Sequence, residues 1–229
     1  MNPKIPVYIG YDKRESGAFW TCAASIMENS SVPVEIIPLK KEQLPLTRPK
    51  HPKQSNDFAF TRWLVPHLQS YQGYAIFVDC DFLFYGDIAD LWYLRDPSKA
   101  VMVCKHSSET FKEGKKYLGT EQTVYDRKCW SSLMLFNCEH PSCYKLSPTT
   151  VDQADGLDLH QFRWCEDDHI GDLPLEWNWL VGHYPFNDRV KAVHFTEGGP
   201  YFKAYRDCEY AGDWWRAFGR MKYVQEGLT

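Results

Sequence analysis

No two cysteines in this 229-residue chain are spaced Cys-x-x-Cys, and no apolar run approaches the roughly 20 residues that cross a bilayer as a helix. The first absence excludes a zinc knuckle and a thioredoxin-type redox motif. The second leaves no candidate transmembrane segment. A secretory leader is not expected either: Met1-Asn2-Pro3-Lys4 leads only into a short apolar run from Ile5 to Ile9. The eight cysteines are therefore read as reduced, mostly buried thiols of a cytoplasmic protein, with peripheral membrane contact left open. An excess of positive charge is also missing. Lysine and arginine number 26 against 30 aspartates and glutamates, a net charge of −4, which argues against a nucleic-acid partner. Internal repeats and low-complexity tracts are absent too.

What is present is the composition of one soluble domain spanning residues 1–229, with 44% hydrophobic and 24% charged residues. Aromatic side chains, at 16%, suit a core first and a sugar-facing surface second. Ile5–Gly10 reads as a short buried strand, and a helix follows from Ser16 to about Asn29 with Phe19, Ala23, Ile26 and Met27 on one face. Val34–Ile37 reads as a second strand stopped by Pro38, and the proline-rich residues 40–56 as a loop. A helix is expected from about Asp57 to Leu68, then the clearest strand, Tyr74–Val78. Asp87 is placed to cap a short helix through Leu94. Val101–Cys104, Ser132–Phe136 and Lys191–Phe195 read as further strands, and Glu209–Tyr223 as a closing helix. Strands alternating with helices indicate an α/β fold with a mixed, mostly parallel central sheet flanked by helices. Ligands of such sheets sit beyond the carboxyl ends of the strands, where Gly10-Tyr11-Asp12, Asp79-Cys80-Asp81 and His194 fall.

Asp79 and Asp81 stand one residue apart where the chain leaves a buried strand. Two carboxylates so close repel one another, which calls for a divalent cation or a shifted pKa. A departing diphosphate needs such a cation to neutralise its developing charge. His194 adds an imidazole suited to manganese-like ions. Gly198-Gly199 would let the backbone approach a phosphate, and Lys203 would add a point charge. The acidic cluster Glu166-Asp167-Asp168-His169 fits a helix start, a solvated turn, or a carboxylate that holds a sugar hydroxyl or takes its proton.

The order of these blocks is familiar. Gly10-Tyr11-Asp12 is followed by Phe60-Thr61-Arg62-Trp63-Leu64-Val65-Pro66, then Ile76-Phe77-Val78-Asp79-Cys80-Asp81 and Leu133-Met134-Leu135-Phe136-Asn137. Asp167-Asp168-His169-Ile170, Leu173-Pro174-Leu175-Glu176-Trp177-Asn178 and His194-Phe195 with the glycines complete the series. The series resembles glycosyltransferase family 8, which includes glycogenin and lipopolysaccharide galactosyltransferases, and small viral relatives look similar. The resemblance implies the GT-A fold, a nucleotide-sugar donor of the UDP type, and Mn²⁺ or Mg²⁺. It implies a glycan, lipid-linked or protein acceptor. By position it puts Asp12 at the base, Asp79 at the ribose and metal, and Asp81 and His194 as further metal ligands. Arg62 would reach the diphosphate or donor sugar, Lys203 and Gly199 the β-phosphate, and Asp167 and Asp168 the transferred sugar as catalytic residues. The nucleotide-sugar site would thus comprise Gly10, Tyr11, Asp12, Arg62, Asp79, Cys80, Gly198, Gly199 and Lys203. The chain departs from the family at Trp130-Ser131-Ser132, where an Asn or Ser-Gly pair is usual, and in the length of the segment from His194 to Lys203.

Two other readings compete. A haloacid dehalogenase-type phosphohydrolase also places Asp-x-Asp after an apolar strand and uses the first carboxylate as nucleophile. A non-catalytic carbohydrate-binding module would explain Trp177-Asn178-Trp179 and Trp214-Trp215, but such modules are usually β-sandwiches.

Overall fold

The computed structural model of the protein describes residues 4–49, 54, 56–111, 114–115, 121–122 and 124–222. The elements in chain order are β1 (Ile5–Gly10), α1 (Ser16–Asn29), β2 (Val34–Leu39), α2 (Val65–Leu68), β3 (Tyr74–Val78), β4 (Phe82–Phe84), α3 (Ile88–Trp92) and β5 (Val101–Val103). There follow β6 (Gly114–Lys115), β7 (Glu121–Gln122), β8 (Leu133–Asn137), α4 (Pro148–Gln153), α5 (Gly156–His160), β9 (Ile170–Asp172), β10 (Trp179–Leu180), β11 (Ala192–His194) and α6 (Ala211–Lys222).

Six strands form the main sheet in the order β2-β1-β3-β8-β5-β9. Five point the same way and β8 alone is reversed, pairing antiparallel with β3 and β5. This is the mixed, mostly parallel sheet expected. The interior strands β1 and β8 are buried at every position and β3 at all but Tyr74, as strands covered on both faces must be. A second sheet, β10-β11-β4, takes the last strand out of the main sheet. Its β4 runs antiparallel to β11, with Phe82 opposite His194.

The structure corrects three expectations about elements. Pro38 does not stop β2, which continues to Leu39; β2 is an edge strand, so the missing N–H costs no ladder bond on its open side. The helix expected from Asp57 to Leu68 is broken into a turn, a 3₁₀ segment from Thr61 to Leu64 and the single turn α2, where Pro66 supplies no N–H. Met27 is exposed rather than on the buried face of α1 with Phe19, Ala23 and Ile26. Residues 50–53 and 55 of the proline-rich loop, and Tyr223 of the closing helix, lie outside the described residues.

The core explains most of the aromatic content. Trp63, Trp214, Phe58, Phe77, Phe82, Phe136 and Phe162 are fully buried, and Trp177 is 3% exposed. Asp87 caps α3 as expected, accepting from the Ala89 N–H at 2.9 Å. The eight cysteines are unbonded to one another, six of them buried. Burial pushes Cys138 up to about 12 and Cys165 up to about 11, so these thiols stay protonated and inert. Among the described residues no helix is long and apolar enough to cross a membrane.

Candidate metal and nucleotide-sugar site

Three strands deliver the carboxylates and the imidazole. β3 ends at Val78, and the turn Asp79-Cys80-Asp81 carries the chain into β4. Backbone bonds pin that turn from both sides: Asp79 N–H donates to the Ser132 carbonyl at 2.9 Å, and Phe195 N–H donates to the Asp81 carbonyl at 3.0 Å. From α1, the Cys22 thiol lies 3.9 Å from the Asp79 carbonyl. Because Phe82 pairs with His194, the end of β11 arrives beside Asp81, with His194 Nε2 3.4 Å from Asp81 Oδ1. The imidazole stacks on the Phe82 ring at 4.4 Å between centroids. The ligand atoms of Asp79, Asp81 and His194 lie within 4.8 Å of one another, and all three residues are buried. The sequence reading put β11 in the main sheet; the second sheet is what actually brings His194 to the aspartates.

Hydrogen bonding decides which nitrogen of His194 is free. Asn178 Nδ2 lies 3.2 Å from the Cys129 carbonyl, which can only accept, and 2.9 Å from Ser132 Oγ. The amide oxygen of Asn178 therefore faces His194 Nδ1 at 3.0 Å and accepts its hydrogen. With Nδ1 so engaged, Nε2 is the nitrogen that faces Asp81. A ligating histidine held at its other nitrogen is the usual arrangement around a metal. Two carboxylates and an imidazole suit Mn²⁺, and the oxygen ligands alone suit Mg²⁺. The residues present thus fit a divalent ion.

Arg62 is 4% exposed and holds the other side of Asp79, with Nη1 2.9 Å from Oδ1. The same guanidinium donates to the Ser131 carbonyl at 2.7 Å and lies over the Phe77 ring. His160 closes that wall, its Nδ1 2.8 Å from Ser131 Oγ. Burial, followed by the charge of Arg62, pushes His160 down to about 3, so the ring is neutral at pH 7. The cavity these groups surround is also lined by Asn56, Tyr125, Lys128 and Thr196. A larger hollow beside Arg206, Cys208 and Trp215 shares no wall with it. Its size does not make it the site, because its one carboxylate, Asp207, is exposed and has no imidazole beside it.

The structure brings Arg62, Asp79, Asp81 and His194 together around one cavity. Cys80 is fully buried beneath the turn. Asp12 is buried at the end of β1 and accepts from Arg14 N, Nε and Nη2, the last at 2.6 Å, and from Asp57 N–H at 3.1 Å. Burial raises its pKa, but these bonds outweigh burial and hold it below the ordinary carboxylate value. Asp12 thereby ties β1 to the segment carrying Arg62. Gly10 leaves room for the Phe58 ring, which a Cβ would meet at 2.4 Å, and Tyr11 packs edge-on against Phe19.

Gly198 adopts φ +140°, and a Cβ on Gly199 would stand 2.2 Å from the Tyr201 ring, whose hydroxyl donates to Glu15. The glycine pair therefore gives Tyr201 its place in the core. Lys203 is exposed and does not line the cavity. Asp167 and Asp168 are set apart as well. Ile170 pairs with Val101, Val101 with Phe136, and Phe136 with Ala75, so these aspartates precede β9 at the end of the sheet opposite Asp79. Both side chains are exposed, and Asp167 binds Arg127 at 2.6 Å. Sequence reasoning passed over Lys128 and His160, which stand in no recognisable motif, while Ser131 and Thr196 fell in the two segments where the chain departs from the family pattern. Asn178 was visible as the end of the Leu173–Asn178 block and the middle of Trp177-Asn178-Trp179, without a role assigned to it.

No protein-family model matches the sequence. Protein CDI of Arabidopsis thaliana is 45% identical over 217 residues, covering 91% of this chain and 83% of the plant protein. The chain belongs to the Protein CDI family. Solved structures similar to this family member are glycosyltransferases. The bifunctional glycosyltransferase WbbM superposes with a TM-score of 0.68 at 14% identity, over 95% of this chain, which spans half of WbbM. Galactosyltransferase LgtC, solved with donor and acceptor sugar analogues, gives 0.64 at 13% identity, over 97% of this chain and 98% of its own. GlyE of Streptococcus pneumoniae gives 0.61 at 14% identity, over 95% of this chain and 60% of GlyE. The fold of this Protein CDI family member is GT-A.

Proposed function

We propose that this protein is a metal-dependent glycosyltransferase that moves a sugar from a nucleoside-diphosphate sugar, with UDP as the nucleotide, to a hydroxyl of a glycan, lipid-linked or protein acceptor. The observation that carries the reading is the buried Asp79, Asp81 and His194 set at the carboxyl end of β3 in a GT-A fold. Asp79, Asp81 and His194 Nε2 would hold Mn²⁺ or Mg²⁺, which supplies a Lewis acid for the diphosphate.

The chain's own groups do the rest. Asn178 holds His194 in the tautomer that presents Nε2. Arg62 holds Asp79 in place and adds positive charge where the leaving diphosphate becomes more negative. The sequence assignments of Asp12 to the base, of Gly10, Tyr11 and Cys80 to the nucleotide-sugar site, and of Gly198, Gly199 and Lys203 to the phosphates belong to the same proposal. In the transfer, the bond from the anomeric carbon to the diphosphate oxygen breaks and a bond to the acceptor oxygen forms. In a retaining transfer the acceptor proton goes to the departing phosphate oxygen, and in an inverting transfer Asp167 or Asp168 would take it as general base.

The phosphohydrolase reading is less well supported, because the buried Asp79 is paired with Arg62, a poor setting for a nucleophile that must attack phosphorus. Calorimetric titration of UDP with and without Mn²⁺ tests the proposal. Binding is expected only with the metal and is expected to disappear in Asp81→Ala. Equal binding in both conditions, or none, would count against it.

A further inference from the structure

Lys128 is a charged side chain that the sequence did not single out, yet it is 4% exposed and lines the cavity between Arg62, Asp79, Asp81 and His194. Its ammonium lies 4.9 Å above the Phe111 ring. The backbone on both sides of it is unusual: Arg127 has φ +65° and Cys129 has φ +62°, in the left-handed region that non-glycine residues rarely occupy. Such turns persist where the surroundings hold them, and they cluster at binding sites. Here the surroundings are the site itself. The Cys129 carbonyl accepts from Asn178, and Cys129 Sγ lies 3.5 Å from Thr196 Oγ1, two residues beyond His194. The strained turn and the metal-ligand scaffold share their bonds, and between them Lys128 is turned inward.

The charge of the cavity wall gives this placement a purpose. Lys128 places a positive charge in the cavity wall that also holds Asp79, Asp81 and His194, and the diphosphate bridge of a nucleotide sugar carries two negative charges. Lys203, the lysine the motif order suggests, is exposed and does not line the cavity.

We infer that Lys128 is a substrate-binding residue whose ammonium contacts the terminal phosphate of a nucleoside diphosphate, and the diphosphate of the donor, in this site. The inference rests on the glycosyltransferase reading. A lysine serves here as a compact point charge, which suits a phosphate whose charge grows as the sugar leaves.

The test compares UDP with UMP, in Mn²⁺, on wild-type protein, Lys128→Met and Lys128→Arg. Lys128→Met is expected to weaken UDP binding by about tenfold or more while leaving UMP nearly unchanged, since UMP lacks the phosphate that the ammonium meets. Lys128→Arg is expected to keep much of the preference for UDP. Wild-type affinity for UDP in Lys128→Met would overturn the inference. If wild-type protein binds neither nucleotide, the glycosyltransferase reading fails first, and that outcome is distinct. Should Lys128→Met not fold, the ε-methylene carbon resonance of Lys128 in the wild-type protein reads the same contact. It is expected to shift with UDP and not with UMP, and no shift with UDP overturns the inference.

Discussion

Arg62→Met is expected to destabilise the fold by about 3–5 kcal/mol, the range seen when one partner of a buried ion pair is removed. The guanidinium is 2.9 Å from Asp79 Oδ1, and Arg62 and Asp79 are both buried. Removing it leaves Asp79 close to Asp81 with less compensating charge, and frees the Ser131 carbonyl of its donor. The double variant Arg62→Met/Asp79→Asn is expected to be more stable than Arg62→Met alone, because it also removes the stranded charge. Urea unfolding of the three proteins without metal measures both effects. A loss below about 1 kcal/mol in Arg62→Met would mean that solvent reaches Asp79, contrary to the packing described.

Acid is expected to weaken the protein well above the carboxylate range. Burial, then the nearby His194 and His183, push His106 down to about 3 from 6.5, and its Nδ1 is held 2.9 Å from the Tyr184 hydroxyl. The folded pKa lies below the unfolded one, so between pH 6.5 and about 3 the unfolded chain binds the extra proton. The stability this residue contributes is complete above pH 6.5 and is lost as pH falls through that window. From pH 7 to pH 5 the loss is about 2 kcal/mol for His106. His160 acts in the same direction, whereas the lowered carboxylates Asp12, Asp87 and Asp152 act only at lower pH. Urea midpoints at pH 7 and pH 5 measure the loss. A His106→Gln protein should lose less than wild type between those pH values, and an equal loss would remove His106 from the explanation.

Much of the fold could be read from the sequence, because its central strands are buried on both faces and so carry unbroken apolar runs. Tyr74–Val78 was placed to the residue, and Asp79 and Asp81 followed from where that run ends. The fate of Pro38 was not readable, since an edge strand tolerates proline and only the strand order reveals the edge. The segment around Arg62 reads as helical, but tertiary packing breaks it so that Arg62 can turn inward to Asp79. His194 was found as a strand-end residue, although the pairing of β4 with β11 that delivers it to Asp81 depends on a contact more than 100 positions away in sequence. Lys128 and His160 carry no motif; their role depends on a left-handed turn and on burial, which a single sequence does not display. Asp167 and Asp168 stood out as an acidic cluster, and acidic clusters are also what exposed turns before strands look like.

The most direct test of glycosyl transfer is UDP release from a panel of UDP-sugars incubated with the wild-type protein and Mn²⁺, repeated with a chelator and with Asp81→Ala. Release from at least one UDP-sugar, lost on chelation and in the variant, is the predicted result. Release that persists in the chelator and in Asp81→Ala, or no release from any sugar nucleotide while simple phosphate esters are hydrolysed, would contradict it.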